Sequence, residues 1–249
     1  MEDALLTDPP LPPDTPTPAA SERHLLAPLW HTAIVVIVLL GASLGGSRGV
    51  HPLAGHSKLP QYFWTMAWEL VLAGFVYFGV RKRMKLRDLI GGRWATLEDV
   101  LLDIMIAAGF WLTAIAVLGA SAKLLHLDQA GKFESMRQQL GFLVPDTTLE
   151  LVMWFCLSTT AGFCEEIIFR GYLQRQFAAL TSSMLAGVVL SAAVFGAAHG
   201  YEGGPRMLLL GIFGLMFGLL AWWRKSLRPG MIAHAWHDAI SGAVLHLLK

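Results

Sequence analysis

Three short segments in the last third of the chain place ionisable side chains inside otherwise apolar stretches. They are Cys164-Glu165-Glu166-Ile167-Ile168-Phe169-Arg170, Phe195-Gly196-Ala197-Ala198-His199 and His234-Ala235-Trp236-His237-Asp238. Adjacent carboxylates in an apolar helix repel each other and resist desolvation. Arg170 follows Glu166 by four residues, one helical turn away on the same face, and this spacing predicts an ion pair. Glu165 then projects about 100° away around the helix, into other surroundings. Two neighbouring acids in unlike environments are the arrangement that separates a structural ion from a proton-transfer group. The plainer reading is a buried ion network that only fixes helix packing.

Phe195 and His199 are one turn apart, with small residues between them that let another helix approach closely. His234 and Asp238 share a face at i and i+4, a spacing that suits metal ligation or an oriented acid–base pair. Asp238 can also serve only to orient His234, and His237 lies off that face. Together these residues suit activation of a water molecule. A carboxylate takes the proton, while the imidazoles hold a metal or stabilise a developing oxyanion. The chain has no Gly-x-Ser-x-Gly elbow and no His-Glu-x-x-His, which argues against serine-hydrolase and zincin-like mechanisms.

The elements that must carry these residues follow from composition. Of 249 residues, 55% are hydrophobic and only 15% charged, against about 25% charged in a typical soluble domain. Mean hydropathy is +0.53. A disordered chain, a nucleic-acid binder and a disulfide-stapled secreted module are thereby excluded. Cys156 and Cys164 read as reduced small hydrophobes of one helix, pointing into lipid or protein. Apolar runs lie near 29–46, 61–80, 97–120, 149–172, 184–200, 206–223 and 230–248. A spanning helix needs about 20 such residues. The expected fold is therefore all-α, a polytopic membrane bundle of about seven to eight transmembrane helices. The fourth run is expected to continue as helix toward Leu180, and residues 123–147 can add an amphipathic interfacial helix.

Residues 1–28 hold seven of the twelve prolines and five acids against one arginine, and read as a disordered tail. Residues 29–147 read as N-terminal membrane helices. The loop with Arg81, Lys82, Arg83, Lys85, Arg87 and Arg93 is the strongest basic cluster. The positive-inside bias then puts that loop and the tail in the cytoplasm of a multi-pass inner-membrane protein. Glu69 reads as structural or cavity-lining, and Asp103 as a residue that reaches the interface. One geometric difficulty follows from this layout. If the fifth run spans fully, His199 lies at its outer end, far from His234 near the inner start of the seventh. Either the fifth run breaks around Gly196 and Gly200, or the sixth does not cross fully; broken backbone is tolerated where it lines a water-filled cavity.

The order EExxxR, FxxxH, HxxxN/D over about 80 residues resembles the CPBP family, the type II CAAX prenyl proteases (Rce1-type) and bacteriocin-processing membrane proteases. The resemblance covers roughly residues 148–248, the expected protease core, and includes Phe169-Arg170-Gly171-Tyr172-Leu173 after the glutamates. It implies an intramembrane endopeptidase of the metallo- or glutamate-dependent kind. Glu165 would be the base, Glu166 its partner and Arg170 their electrostatic support, with Phe195 and Asp238 in supporting places. His199 and His234 would bind metal or water, or stabilise the oxyanion. Zinc is the cofactor this set permits, on His199, His234 and Glu165, although no spacing demands it. The third motif often ends in asparagine in this family. Asp238 departs from that, and an ionised aspartate cannot donate to an oxyanion. The implied partners are a peptide or protein substrate, lipidated in the prenyl-protease case, and the bilayer. The competing reading is a non-enzymatic membrane protein, such as an immunity factor, scaffold or transporter-like module.

Overall fold

A computed structural model describes residues 25–46, 57–126, 141 and 144–247. Among these residues every regular element is helical and there is no strand. The order is α1 (Leu29–Gly46), α2 (Leu59–Val80), the short α3 (Leu86–Ile90), α4 (Leu97–Leu124) and α5 (Thr148–Glu165). A π-helical segment (Glu166–Leu173) continues α5 into α6 (Gln174–Thr181), and α7 (Met184–Ala198), a 3-10 turn (Gly200–Glu202), α8 (Gly204–Arg224) and α9 (Arg228–Leu247) follow. Residues 1–24 of the expected tail, and most of the segment expected to add an interfacial helix, lie outside the described residues.

Local chemistry sets the boundaries. Thr96 and Thr147 open α4 and α5 with capping boxes, in which the threonine hydroxyl accepts from the third backbone N–H and Asp99 or Glu150 answers the cap's own N–H. Pro60 and Pro205 sit in the first turns of α2 and α8, where a missing N–H costs nothing. Ser182 and Lys225 adopt left-handed backbone and stop α6 and α8.

Each of the seven apolar runs forms a helix. By length and composition four are able to cross a membrane: Leu59–Val80, Leu97–Leu124, Thr148–Thr181 and Gly204–Arg224. The others fall short for physical reasons: α1 and α7 have 18 and 15 residues, and α9 carries Arg228, His234, His237 and Asp238. Large apolar side chains cover the outside, among them Trp64, Met105 and Leu124, as a lipid-facing surface requires.

Small residues bring the C-terminal helices together. A Cβ on Gly162 would stand 2.8 Å from the Ala235 nitrogen and 2.9 Å from the Met231 oxygen, so α5 and α9 touch backbone to backbone there. Gly196 meets the Met207 oxygen and Gly211 in the same way between α7 and α8. Such close approach is how helices associate where lipid removes the hydrophobic drive between them. The buried side chains of Ile167, Phe169, Tyr172, Phe195, Phe213 and Phe217 fill the centre. Helix α1 is tied on by polar contacts: the Gln176 amide receives the Leu26 and Ala27 N–H groups and donates to the Ala27 oxygen. The Tyr172 hydroxyl bonds His31 and Thr32. Lys58 at the start of α2 pairs with Asp146 at 2.7 Å, and its backbone N–H donates to Glu150.

Gly162→Val is expected to push α9 off α5 and lower stability by about 1–3 kcal/mol, the usual cost of overpacking. Thermal unfolding of the purified protein in detergent measures it.

Candidate active site

The difficulty over His199 and His234 resolves at the ends of two helices. At about 1.5 Å per residue the 15 residues of α7 reach about 22 Å, short of the ~30 Å hydrocarbon core. The helix stops at His199, where the 3-10 turn begins, so the fifth run breaks at Gly200 and not at Gly196. Helix α8 is unbroken. Leu227, just before α9, is seated beside Gly171, 3.1 Å from a Cβ placed there. Six residues into α9, His234 comes level with the end of α7, its Nε2 and that of His199 both facing Glu165.

Glu165 closes α5 and Glu166 opens the π segment. The two carboxylates have opposite surroundings. The Glu166 side chain is 1% exposed, and its Oε1 accepts from Arg170 Nη1 at 2.8 Å and from His234 Nδ1 at 3.1 Å. Its Oε2 has no partner among the described residues and lies 3.2 Å from a Cβ built on Gly230, so a larger residue there would crowd it. Arg170 donates a second bond to the Gly214 oxygen at 3.3 Å and lies over the Phe195 and Phe217 rings at 4.5 and 5.3 Å. Glu166 is thus committed to structure.

Glu165 is 16% exposed and makes no close bond among the described residues. It stands between two imidazoles, Oε1 at 4.0 Å from His199 Nε2 and Oε2 at 3.7 Å from His234 Nε2. Both rings are held by their other nitrogen. His199 Nδ1 lies 2.8 Å from the Phe195 carbonyl, which can only accept, so Nδ1 carries the proton. His234 Nδ1 donates likewise to Glu166. In the neutral rings both Nε2 atoms therefore present lone pairs toward Glu165. Asp238 is more open, 32% exposed, with Oδ2 3.6 Å from His234 Nε2. Phe195 serves twice, bonding His199 through its backbone and lying under Arg170 through its ring. Phe213 and Phe217 pack on His234 at 5.2 and 5.4 Å between ring centres.

The seven predicted site residues thus meet in one place, with Glu166 buried beneath and Glu165 facing the gap. The separations of 3.6–4.0 Å are too long for direct hydrogen bonds. They are of the size that a bridging water fills. Among the described residues no three His, Cys, Asp or Glu side chains come together as a cation-ligating group. No step of the proposed reaction is routed through a metal.

Several residues of this region are not what the sequence suggested. Asp103 is fully buried in the protein, where it pairs with Arg224 at 3.0 Å and Arg228 at 2.9 Å. Of the two cysteines, both free as the sequence suggested, Cys164 is buried and Cys156 is exposed. Glu69 on α2 is buried, with Oε2 unpartnered among the described residues. Helices α2 and α5 run side by side from a common start, Lys58 at Glu150 and Tyr62 against Trp154. Glu69, two turns past Tyr62, comes within electrostatic reach of Glu165 and Asp238. Neither the partner of Asp103, more than 120 positions away, nor the neighbours of Glu69 have a local signal. The one available clue was a lone acid in an apolar run.

Glu166→Gln alone is expected to cost about 3–5 kcal/mol, because it leaves Arg170 buried without its counter-charge. The double variant Glu166→Gln/Arg170→Met should recover most of that loss. Glu69→Gln should leave stability equal or higher, since it removes an ionisable group buried beside two other acids. Unfolding temperatures of the four proteins check all three statements.

Residues 147–240 match the model of the family described as Rce1-like, type II CAAX prenyl endopeptidase Rce1-like. No curated protein and no solved structure matches the chain. The matched stretch contains α5 to α8 and most of α9, with every residue of the gap between Glu165, His199 and His234, while α1 to α4 lie outside it. Over residues 147–240, then, this chain is similar to the Rce1-like endopeptidases.

Proposed function

We propose that this protein is an intramembrane endopeptidase in which Glu165 activates water for attack on a peptide bond, with C-terminal CAAX-type processing as the implied use. The observation that carries this reading is the unequal commitment of the two adjacent acids. Arg170 and His234 occupy Glu166, whereas Glu165 faces both free Nε2 atoms across gaps of water size.

In the proposed reaction a water held between Glu165, His199 and His234 attacks the scissile carbonyl carbon. Its proton passes to the Glu165 carboxylate as the new C–O bond forms. The oxyanion is met by an imidazole Nε2–H, available when that ring holds a proton on both nitrogens; for His234 such an imidazolium lies between Glu166 and Asp238. Collapse of the tetrahedral adduct breaks the C–N bond, and the leaving nitrogen takes the proton back from Glu165. General-base catalysis of this kind is worth about 10²–10⁴-fold and an oxyanion donor about 10²–10³-fold. Asp238 acts here through its charge beside His234 and not as an oxyanion donor. The bulk of the bundle withholds water from the rest of the site, and that dryness strengthens each of these interactions. An apolar cavity of about 540 Å³ opens beside α5, lined by Leu70, Phe155, Cys156, Thr159, Phe163 and Cys164. It ends one residue from Glu165 and suits an apolar or lipidated substrate segment.

Glu165→Gln is expected to lower cleavage of a peptide library at least ~10²-fold while leaving the unfolding temperature unchanged or raised. Glu166→Gln should lose both activity and stability. If Glu165→Gln cleaved as well as the parent, or if cleavage were never detectable above background, the non-enzymatic reading would stand instead.

A further inference from the structure

Away from the catalytic gap, α4, α8 and the start of α9 meet in a second polar cluster. The Asp103 carboxylate receives the Trp94 indole N–H at 2.8 Å and pairs with Arg224 and Arg228 at 3.0 and 2.9 Å. One carboxylate thus faces two guanidinium groups, and the Arg228 guanidinium also lies 5.2 Å from the Trp94 ring centre. Asp99 also lies within electrostatic reach of Arg228. Arg224 Nε and Arg228 Nη1 are buried and have no hydrogen-bond acceptor among the described residues. Buried donors without acceptors are costly, and here they belong to the side chain best shaped to grip a phosphate.

One helical turn from this cluster lies an apolar groove. This cavity of about 460 Å³ is lined by Ile106, Phe110, Met216, Leu219, Leu220 and Trp223. Ile106 follows Asp103 by one turn of α4, and Arg224 follows Leu220 by one turn of α8, so the cluster stands just beyond the apolar lining on both helices. The basic segment 81–93, with six lysines and arginines against one aspartate, is bound to this end of the bundle. The Leu227 N–H donates to the Ile90 oxygen at 2.8 Å. Gly91, in left-handed backbone at φ +107°, lies so close to Ser226 that any Cβ would clash.

We propose that the groove and the two arginines form a binding site for one anionic phospholipid. Its phosphodiester takes the free N–H groups of Arg224 and Arg228, and one acyl chain lies between α4 and α8. The neighbouring basic segment attracts negative headgroups to the same membrane face. Because Arg228 begins α9 and His234 follows six residues later, a lipid held there also braces the helix that carries His234 and Asp238.

The test uses the full chain in detergent, given phosphatidylglycerol, phosphatidylcholine with the same acyl chains, or inorganic phosphate. Native mass spectrometry and unfolding temperature are the readouts. Phosphatidylglycerol should stay bound and raise the unfolding temperature, phosphatidylcholine should bind at least ten-fold more weakly, and phosphate alone should do nothing. Arg224→Gln should abolish the difference between the two lipids. Met216→Trp, which fills the groove and leaves every ion pair in place, should weaken phosphatidylglycerol binding by a similar factor. Equal retention of the two lipids, a phosphate effect as large as that of the lipid, or unchanged selectivity in either variant would overturn the proposal.

Discussion

One buried ion pair organises the C-terminal half of this protein. Arg170 and Glu166 are both almost fully enclosed and 2.8 Å apart, and each is also held by another helix, Arg170 by the α8 backbone and Glu166 by His234 of α9. A charged pair within a membrane bundle gains most when other helices supply further donors and acceptors to it. That demand fixes where α8 and α9 stand relative to α5. It also decides the roles of the two adjacent acids. Because the pair consumes Glu166, the carboxylate next to it is left to face the opening.

The demand can be met only if the helices come close enough, and glycines permit this at each joint. Gly214 passes Phe195 and Ala192, Gly230 passes Glu166, and Gly162 passes α9. In water such residues would weaken a helix by about 1 kcal/mol each. Inside a bundle they let backbones approach and let a carbonyl, that of Gly214, serve as a ligand for Arg170. The aromatic rings of Phe195, Phe213 and Phe217 then close the space around His234 and Arg170. Polar groups thereby meet in a small volume whose walls are otherwise apolar.

Much of the site was legible in the sequence because its residues are exceptions. In a chain with 15% charge, Glu165, Glu166, Arg170, His199, His234 and Asp238 stand out against apolar runs, and i, i+4 spacing already suggested which of them pair. The helical class and the seven apolar runs were equally readable from periodicity and length. The polar residues that hold the bundle together were not. Gln176 meets Leu26 and Ala27 across about 150 positions, Tyr172 meets His31, and Asp103 meets Arg224 and Arg228. A buried glutamine or aspartate looks the same in sequence whatever its partner is. The apparent misplacement of His199 came from assuming that an apolar run spans in full, when α7 ends after 15 residues.

The π-helical stretch from Glu166 to Leu173 has a consequence for the whole rod that it interrupts. With i→i+5 bonding, as between the Gln174 N–H and the Phe169 oxygen, fewer degrees are turned per residue than in an α-helix. The two halves of the 148–181 rod are therefore out of rotational phase. Helix α5 turns its face to α2 and α9 through Tyr62, Trp154 and Gly162. Beyond the offset, α6 turns its face to α1 and α7 through Gln176 and Gly187. The Phe169 carbonyl within the offset also accepts the Ser191 hydroxyl of α7 at 2.8 Å. A single continuous helix thus acts as a gearing element, presenting one flank to the candidate site and the other to the frame.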